Sequence, residues 1–230
     1  MPDFAIERRC GGVACGVDEA GRGPLAGPVV AAAVILDRQR FRGALRHTLD
    51  DSKALPREAR ETCYRALLRL AGSGAARIGI GAASVHEIDR INILRANLRA
   101  MARAVMALGI RPDLALVDGN IPPDLPCPVR TVIGGDALSF SIAAASVIAK
   151  VTRDRIMRAL AGRYPGYGWQ TNVGYSTREH FAGLDRLGAT PHHRRSFAPV
   201  RLALSGTADL LALLDAETAG LSPAAMPPGD

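Results

Sequence analysis

The stretch Gly16-Val17-Asp18-Glu19-Ala20-Gly21-Arg22-Gly23 places two adjacent carboxylates at the end of an apolar run and leads straight into a glycine-flanked arginine. Carboxylates crowded near a strand end repel one another unless a proton or a cation neutralises them. Hard divalent ions such as Mg²⁺ take oxygen ligands of this kind. Glycines on either side of Arg22 let backbone N–H groups approach a phosphodiester, and the guanidinium fork can grip its oxygens. Asp18 and Glu19 therefore point to a metal site, and Gly21, Arg22 and Gly23 to a phosphate-gripping loop beside it. Neighbours in a strand leave it on opposite faces, so the two acids can share an ion only if the strand bends or ends there.

A competing motif shares these residues. Gly21-Arg22-Gly23-Pro24-Leu25-Ala26 fits a dinucleotide fingerprint with alanine in the last slot. That fingerprint must open a helix whose N-terminus holds the pyrophosphate. Here Pro24, Gly27 and Pro28 follow, and then Val29–Leu36 reads as a buried strand. A strand–loop–strand supplies no helix dipole, and the metal reading is preferred.

The 230 residues suit one main domain with room for an appendix, and 48% hydrophobic content is ample for a core. No apolar run reaches membrane-spanning length. The N-terminus carries acids and no long apolar segment, so no signal peptide is expected. Cys10, Cys15, Cys63 and Cys127 form no Cys-x-x-Cys pair, and the five histidines have no ligand spacing. Reduced thiols in a cytoplasmic protein follow, and a zinc centre does not.

Charge is unevenly spread. Residues 205–230 contain Asp209, Asp215, Glu217 and Asp230 and no basic residue. Residues 1–204 thus hold 29 basic against 18 acidic residues, a net +11. A basic body suggests a polyanionic partner. Lys53 and Lys150 are the only lysines among those 29. In a chain drifting from Lys to Arg they are either chance survivors or places that need a compact ammonium.

Residues 14–18 read as a short strand, followed by the glycine loop and the strand Val29–Leu36. Residues 56–70 read as a helix with proline in its first turn. Residues 77–83 alternate with glycine as a strand does. Ser84 and Glu87 have capping-box spacing, and helical periodicity runs on to Leu108 with a break near Asn92. Residues 114–117 form a strand ending on Asp118, and 129–133 another ending before Gly134-Gly135-Asp136. A helix is expected over 141–160, and a second capping box, Ser176 to Glu179, opens one to about Leu187. This order predicts an α/β fold, a mixed sheet with helices on both faces. A disordered low-complexity end over 221–230 is expected, after a short Leu-rich helix around 208–215.

Three of these strands end at or near acids: Asp18 and Glu19, Asp118, and Asp136. Val117-Asp118-Gly119-Asn120 could be an Asp-Gly turn, and Gly135-Asp136-Ala137 a helix cap. Their joint occurrence with the opening octet favours a site. Four carboxylates could hold two divalent ions about 3.5–4 Å apart, a spacing used for in-line phosphodiester displacement. On the following helix Ser146, Lys150 and Arg153 fall on one stripe, opposite Ile142, Ala149, Ile156 and Leu160. That stripe is either a solvated basic face or a phosphate contact.

Together, Gly16 to Gly23, Asp51-Ser52-Lys53, Val117-Asp118-Gly119-Asn120, Gly134-Gly135-Asp136, Ala144-Ala145-Ser146 through Lys150, and His193-Arg194-Arg195-Ser196-Phe197 resemble bacterial ribonuclease HII. The resemblance spans roughly residues 13–204 in consistent order. It implies a ribonuclease H-like, five-stranded mixed sheet flanked by helices, with a catalytic core over 1–162. A helical part over 163–204 would complete the substrate site, and 205–230 would be an acidic tail. The implied activity is hydrolysis of the RNA strand of RNA–DNA hybrids and incision 5′ of single ribonucleotides in duplex DNA. The implied metal ligands are Asp18, Glu19, Asp118 and Asp136, holding two Mg²⁺ or Mn²⁺ ions.

Gly21, Arg22 and Gly23 would read the 2′-OH and adjoining phosphates, with Ser52, Lys53, Ser146 and Lys150 as further substrate contacts. Tyr175 would pack on the deoxyribose after the ribonucleotide. Val173 and Ser176 depart from the family, which usually has a basic residue and a Pro or Gly there; this weakens a phosphate contact at that turn. A cytoplasmic monomer acting on nucleic acid, without membrane association, is expected. The different-class alternative is a catalytically silent hybrid-binding protein, which four intact acids argue against because they repel a phosphate backbone unless metal intervenes.

Overall fold

A computed structural model of the chain describes residues 2–49 and 55–206. Its centre is one five-stranded sheet in the order β3-β2-β1-β4-β5. The strands are β1 (Ala14–Ala20), β2 (Val29–Leu36), β3 (Ala76–Ala83), β4 (Leu114–Asp118) and β5 (Val129–Val132). The first three are antiparallel neighbours, whereas β4 and β5 continue parallel to β1. The expected mixed sheet is what forms.

Nine α-helices are described: α1 (Ala5–Arg8), α2 (Ala44–Thr48), α3 (Arg57–Gly72), α4 (Val85–Ile91), α5 (Ile93–Met106), α6 (Phe140–Arg163), α7 (Trp169–Asn172), α8 (Arg178–Leu187) and α9 (Ala198–Ser205). None is long and apolar enough to cross a membrane. The short α1, α2, α7 and α9 carry too few turns to show a helical period in sequence.

Two glycine contacts set the layers. A Cβ at Gly79 or Gly81 of β3 would overlap the carbonyls of Ala104 and Ala100 on α5. A Cβ at Gly16 of β1 would overlap the Ser141–Ile142 backbone at the start of α6. Register places Gly79, Gly81, Val17 and Glu19 on one face, and Gly16 and Asp18 on the other. Helices thus cover both faces, α5 on one and α6 on the other.

The chain divides into two compact units. One comprises residues up to Arg22, Pro28–Ser84 and Ile93–Arg153; the other comprises Gly23–Gly27, Val85–Asn92 and the residues from Asp154 on. In the second unit the Gly23–Gly27 segment is tied by Leu25 N–H to the Gly174 carbonyl and Gly27 N–H to that of His192, each at 2.8 Å. Its apolar clusters gather Leu25 with Phe181, Leu184 and Val200, and Ala26 with Met157, Tyr167, Trp169 and Val173.

Several expectations change. β1 does not stop at Asp18 but pairs with β2 through Ala20, because antiparallel pairing continues where the parallel partner β4 has stopped. The break expected near Asn92 does occur: Asn92 adopts φ 66° and separates α4 from α5. The cap of α8 is Thr177, whose Oγ1 accepts the His180 N–H at 3.2 Å, rather than Ser176. The first half of α6 is buried nearly all round, so its stripe is not a solvated basic face. No helix follows Gly21-Arg22-Gly23 before β2 begins, which removes the dinucleotide reading.

Candidate active site

Adjacent parallel strands bring the first acids together. Val17 of β1 and Val117 of β4 are register partners, so Asp18 and Asp118 lie one residue further along neighbouring strands, about 4.8 Å apart in the sheet direction. Asp18 is only 1% exposed, and its Oδ1 accepts the N–H of Glu19 at 2.7 Å. Asp118 Oδ1 accepts the N–H of Gly135 at 2.7 Å. That bond ties the end of β4 to the turn after β5, where Gly134 has φ 64° and Gly135–Ala137 make one 3₁₀ turn. Asp136 sits in this turn, buried, with Oδ1 accepting the Ala137 N–H at 3.1 Å. Each aspartate therefore has one oxygen fixed by backbone.

Glu19 differs. The unbroken pairing of β1 with β2 sends it to the α5 face, opposite Asp18. Its Oε1 lies 3.4 Å from Arg22 Nη1. A cleft of about 20 Å³ beside it is lined by Arg22, Asp118, Asn120 and, from α5, Asn97 and Met101. So Glu19 and Asp118 share one small polar recess, although Asp18 and Glu19 leave the strand in opposite directions.

The donor set suits a hard cation, being carboxylate oxygen throughout. Among the described residues no three His, Cys, Asp or Glu side chains close into a cage by themselves. Mg²⁺ commonly uses one or two carboxylates and completes its shell with water and substrate phosphate. These acids fit that manner of binding rather than an all-protein cage.

The glycine loop has two parts. Gly21 has φ +96°, and a Cβ there would overlap Nε and Cδ of Arg153. Arg153 is 0% exposed, and its Nε donates to the Pro28 carbonyl at 3.0 Å. The sequence placed Arg153 on a stripe with Ser146 and Lys150 but gave no sign that it underpins the loop; pairs distant in sequence leave no periodic signal. Gly23, in the second unit, lies against Tyr175, whose ring would be 3.9 Å from a Cβ at that position. Tyr175 is 43% exposed. Ser146 is buried on α6 and Lys150, one turn on, is half-buried. Ser52 and Lys53 lie outside the described residues.

The family model for ribonuclease HII matches residues 15–200. A protein named ribonuclease HII from Rhodospirillum rubrum is 60% identical over 208 residues, covering 90% of this chain and 94% of that protein. The crystal structure of the ribonuclease H2 from Pyrococcus horikoshii OT3 superposes with a TM-score of 0.69 at 27% identity, covering 85% of this chain and 98% of that one. Bst-RNase HIII in complex with Mn²⁺ shares the fold, with a TM-score of 0.68 at 18% identity over 85% of this chain and 70% of that one.

Proposed function

Since this chain belongs to the ribonuclease HII family, and is accordingly a type 2 ribonuclease H and an endoribonuclease, we propose that it cuts 5′ of single ribonucleotides in duplex DNA as well as the RNA strand of hybrids. The reaction is divalent-metal-dependent and leaves 5′-phosphate and 3′-hydroxyl ends. The enzyme works as a monomer in the cytoplasm. Family membership removes the silent hybrid-binding alternative.

The observation that supports this reading is that strand register sets Asp18 beside Asp118, while the Gly135 N–H ties Asp118 to the turn carrying Asp136. Asp18, Glu19, Asp118 and Asp136 would hold Mg²⁺ or Mn²⁺. Bound there, two such ions supply an activated water and charge stabilisation for the leaving 3′-oxygen. The protein's own part is to fix one oxygen of each aspartate and to bring a phosphodiester to the acids. Gly21 and Gly23 allow backbone N–H groups to approach the ribonucleotide, whose 2′-OH is the group that distinguishes RNA from DNA. Arg22 is placed to exchange its 3.4 Å contact with Glu19 for a phosphate oxygen. Tyr175 packs on the deoxyribose that follows, a contact that a 2′-OH on that sugar would forgo. Ser52, Lys53, Ser146 and Lys150 are further substrate contacts.

The test is a DNA duplex carrying one ribonucleotide, incubated with Mg²⁺, with Mn²⁺, or with chelator, and analysed for cut position and end chemistry. A single cut on the 5′ side, abolished by chelator, is expected. Cleavage that persists in chelator would remove the metal mechanism, and a need for several consecutive ribonucleotides would remove the junction reading.

A further inference from the structure

The second unit buries two histidines in one hydrogen-bonded line, and the backbone and indole donors beside them assign the ring protons. Thr190 N–H donates to His193 Nδ1 at 2.9 Å, so that nitrogen is an acceptor and the proton of His193 lies on Nε2. His193 Nε2 is 3.1 Å from His180 Nε2. The indole N–H of Trp169 also donates to His180 Nε2, at 3.1 Å. His180 Nε2 is therefore the acceptor of both, and its proton lies on Nδ1. That N–H faces the backbone carbonyl of Tyr175 at 2.9 Å, with the Gly174 backbone also beside the ring. Burial depresses the proton affinity of both rings, to about 3 for His193, which keeps them neutral and the line intact.

A second, independent observation concerns the turn where this line ends. Val173 is β-branched yet has φ 44°, a conformation that such residues rarely adopt and that persists only where surroundings over-determine it. The surroundings do so. Asn172 Oδ1 accepts the Gly174 N–H at 2.8 Å, and Asn172 Nδ2 donates to the Tyr167 carbonyl at 2.8 Å. Gly174 itself has φ +89°, and a Cβ there would lie 2.8 Å from the Ala26 carbonyl oxygen. A structural role alone is met more cheaply by apolar residues, because a buried imidazole costs desolvation. What imidazole adds is an acceptor at one end and a donor at the other. Here the donor is spent on the residue whose ring stands exposed.

From this we infer that His180, oriented by Trp169 and His193, is a positioning residue for Tyr175: its Nδ1–H fixes the backbone from which the Tyr175 ring meets the substrate sugar. The inference rests on the substrate role given to Tyr175 above. It makes the His180 line part of the discrimination between a ribonucleotide–deoxyribonucleotide junction and a continuous RNA strand, because only the former offers a sugar on which Tyr175 can pack.

Two variants separate this role from support of the fold. In His180→Asn the side-chain amide N–H sits close to the original Nδ1 and keeps a donor toward Tyr175. In His180→Gln the polar group moves outward to the Nε2 end and that donor is lost. Both, with Tyr175→Ala, are to be assayed for kcat and KM on a single-ribonucleotide duplex and on a uniform RNA–DNA hybrid. Emission of Trp169, the only tryptophan, and a thermal melt monitor folding; His180→Phe replaces the Gln variant should that not fold.

The expected result is at least a fivefold loss of kcat/KM on the single-ribonucleotide duplex for His180→Gln and for Tyr175→Ala, with less than a twofold change on the hybrid. His180→Asn should stay within twofold of wild type on both. Equal losses of the Asn and Gln variants on both substrates would make the line merely structural and overturn the inference. So would a folded His180→Gln enzyme that keeps wild-type selectivity while Tyr175→Ala loses it. If Tyr175→Ala keeps wild-type selectivity, the substrate role of Tyr175 falls, and this inference falls with it.

Discussion

Gly135 donates its N–H to Oδ1 of Asp118 across 17 residues of chain, at 2.7 Å. This one bond joins the end of β4 to the turn carrying Asp136, so two acids from separate elements are tied together. A carboxylate held this way is preorganised, and little reorganisation is needed when a cation and a phosphodiester arrive.

Asp118→Asn tests that arrangement. The amide keeps an oxygen for Gly135 N–H, so folding should be preserved, while one ligand charge is lost. Cleavage of a single-ribonucleotide duplex should drop by a factor on the order of 100 or more, a scale typical of losing a preorganised electrostatic group. Binding of the uncut duplex, followed by fluorescence anisotropy, should persist or tighten. Wild-type turnover at saturating metal would reject Asp118 as a ligand.

The two loop glycines should behave differently. Gly21→Ala forces a Cβ into buried Arg153 from a left-handed backbone. A loss of about 2 kcal/mol or more is expected, as for other strained or overpacked sites. Gly23→Ala meets only Tyr175 at ordinary contact distance, 3.9 Å, and should stay within roughly 0.5 kcal/mol. Urea denaturation of both variants measures this. A Gly21→Ala protein as stable as wild type would show that Arg153 yields easily.

The buried histidines imply a pH dependence of stability. Burial lowers the proton affinity of His180 and, together with the neighbouring His180 ring, that of His193 to about 3, from an ordinary 6.5. The unfolded chain therefore binds more protons than the folded one below pH 6.5. Their stabilising contribution is complete above pH 6.5 and is lost as pH falls below it, for His193 down to about 3, at up to about 1.4 kcal/mol per pH unit per histidine. Urea midpoints between pH 7.5 and 4.5 should decline accordingly. A flatter decline is expected in His193→Gln, and an identical one would remove His193 from the account.

Salt provides a check on the basic body. Each phosphate neutralised releases counterions, with a log–log slope of roughly −0.9 per contact on duplex. Duplex binding measured in chelator from low to physiological ionic strength should weaken steeply. A flat response would exclude a surface that grips the backbone.

Reading the sequence alone was enough for the β2, β4 and α5 regions, because each has a local period or terminal signal that survives without context. The four acids also stand out in the sequence, as charges at the ends of apolar runs do wherever they occur. Two features do not. The apolar run closes on two adjacent carboxylates and so predicts a strand end at Asp18, yet β2 supplies partners through Ala20. The capping box at Ser176 was displaced to Thr177 because the Tyr175 turn fixes where the helix begins.

By itself the sequence determined the mixed sheet, the basic body and the oxygen-only donor set, since all three follow from residue type and periodicity along one segment. Only the tertiary structure decided that Glu19 faces α5 while Asp18 faces α6, that Arg153 lies beneath Gly21, and that His180 reaches from Trp169 and His193 to the Tyr175 carbonyl. These are relations between distant segments. They are set by strand register and by the need of buried polar groups for partners, and neither leaves a mark on local sequence.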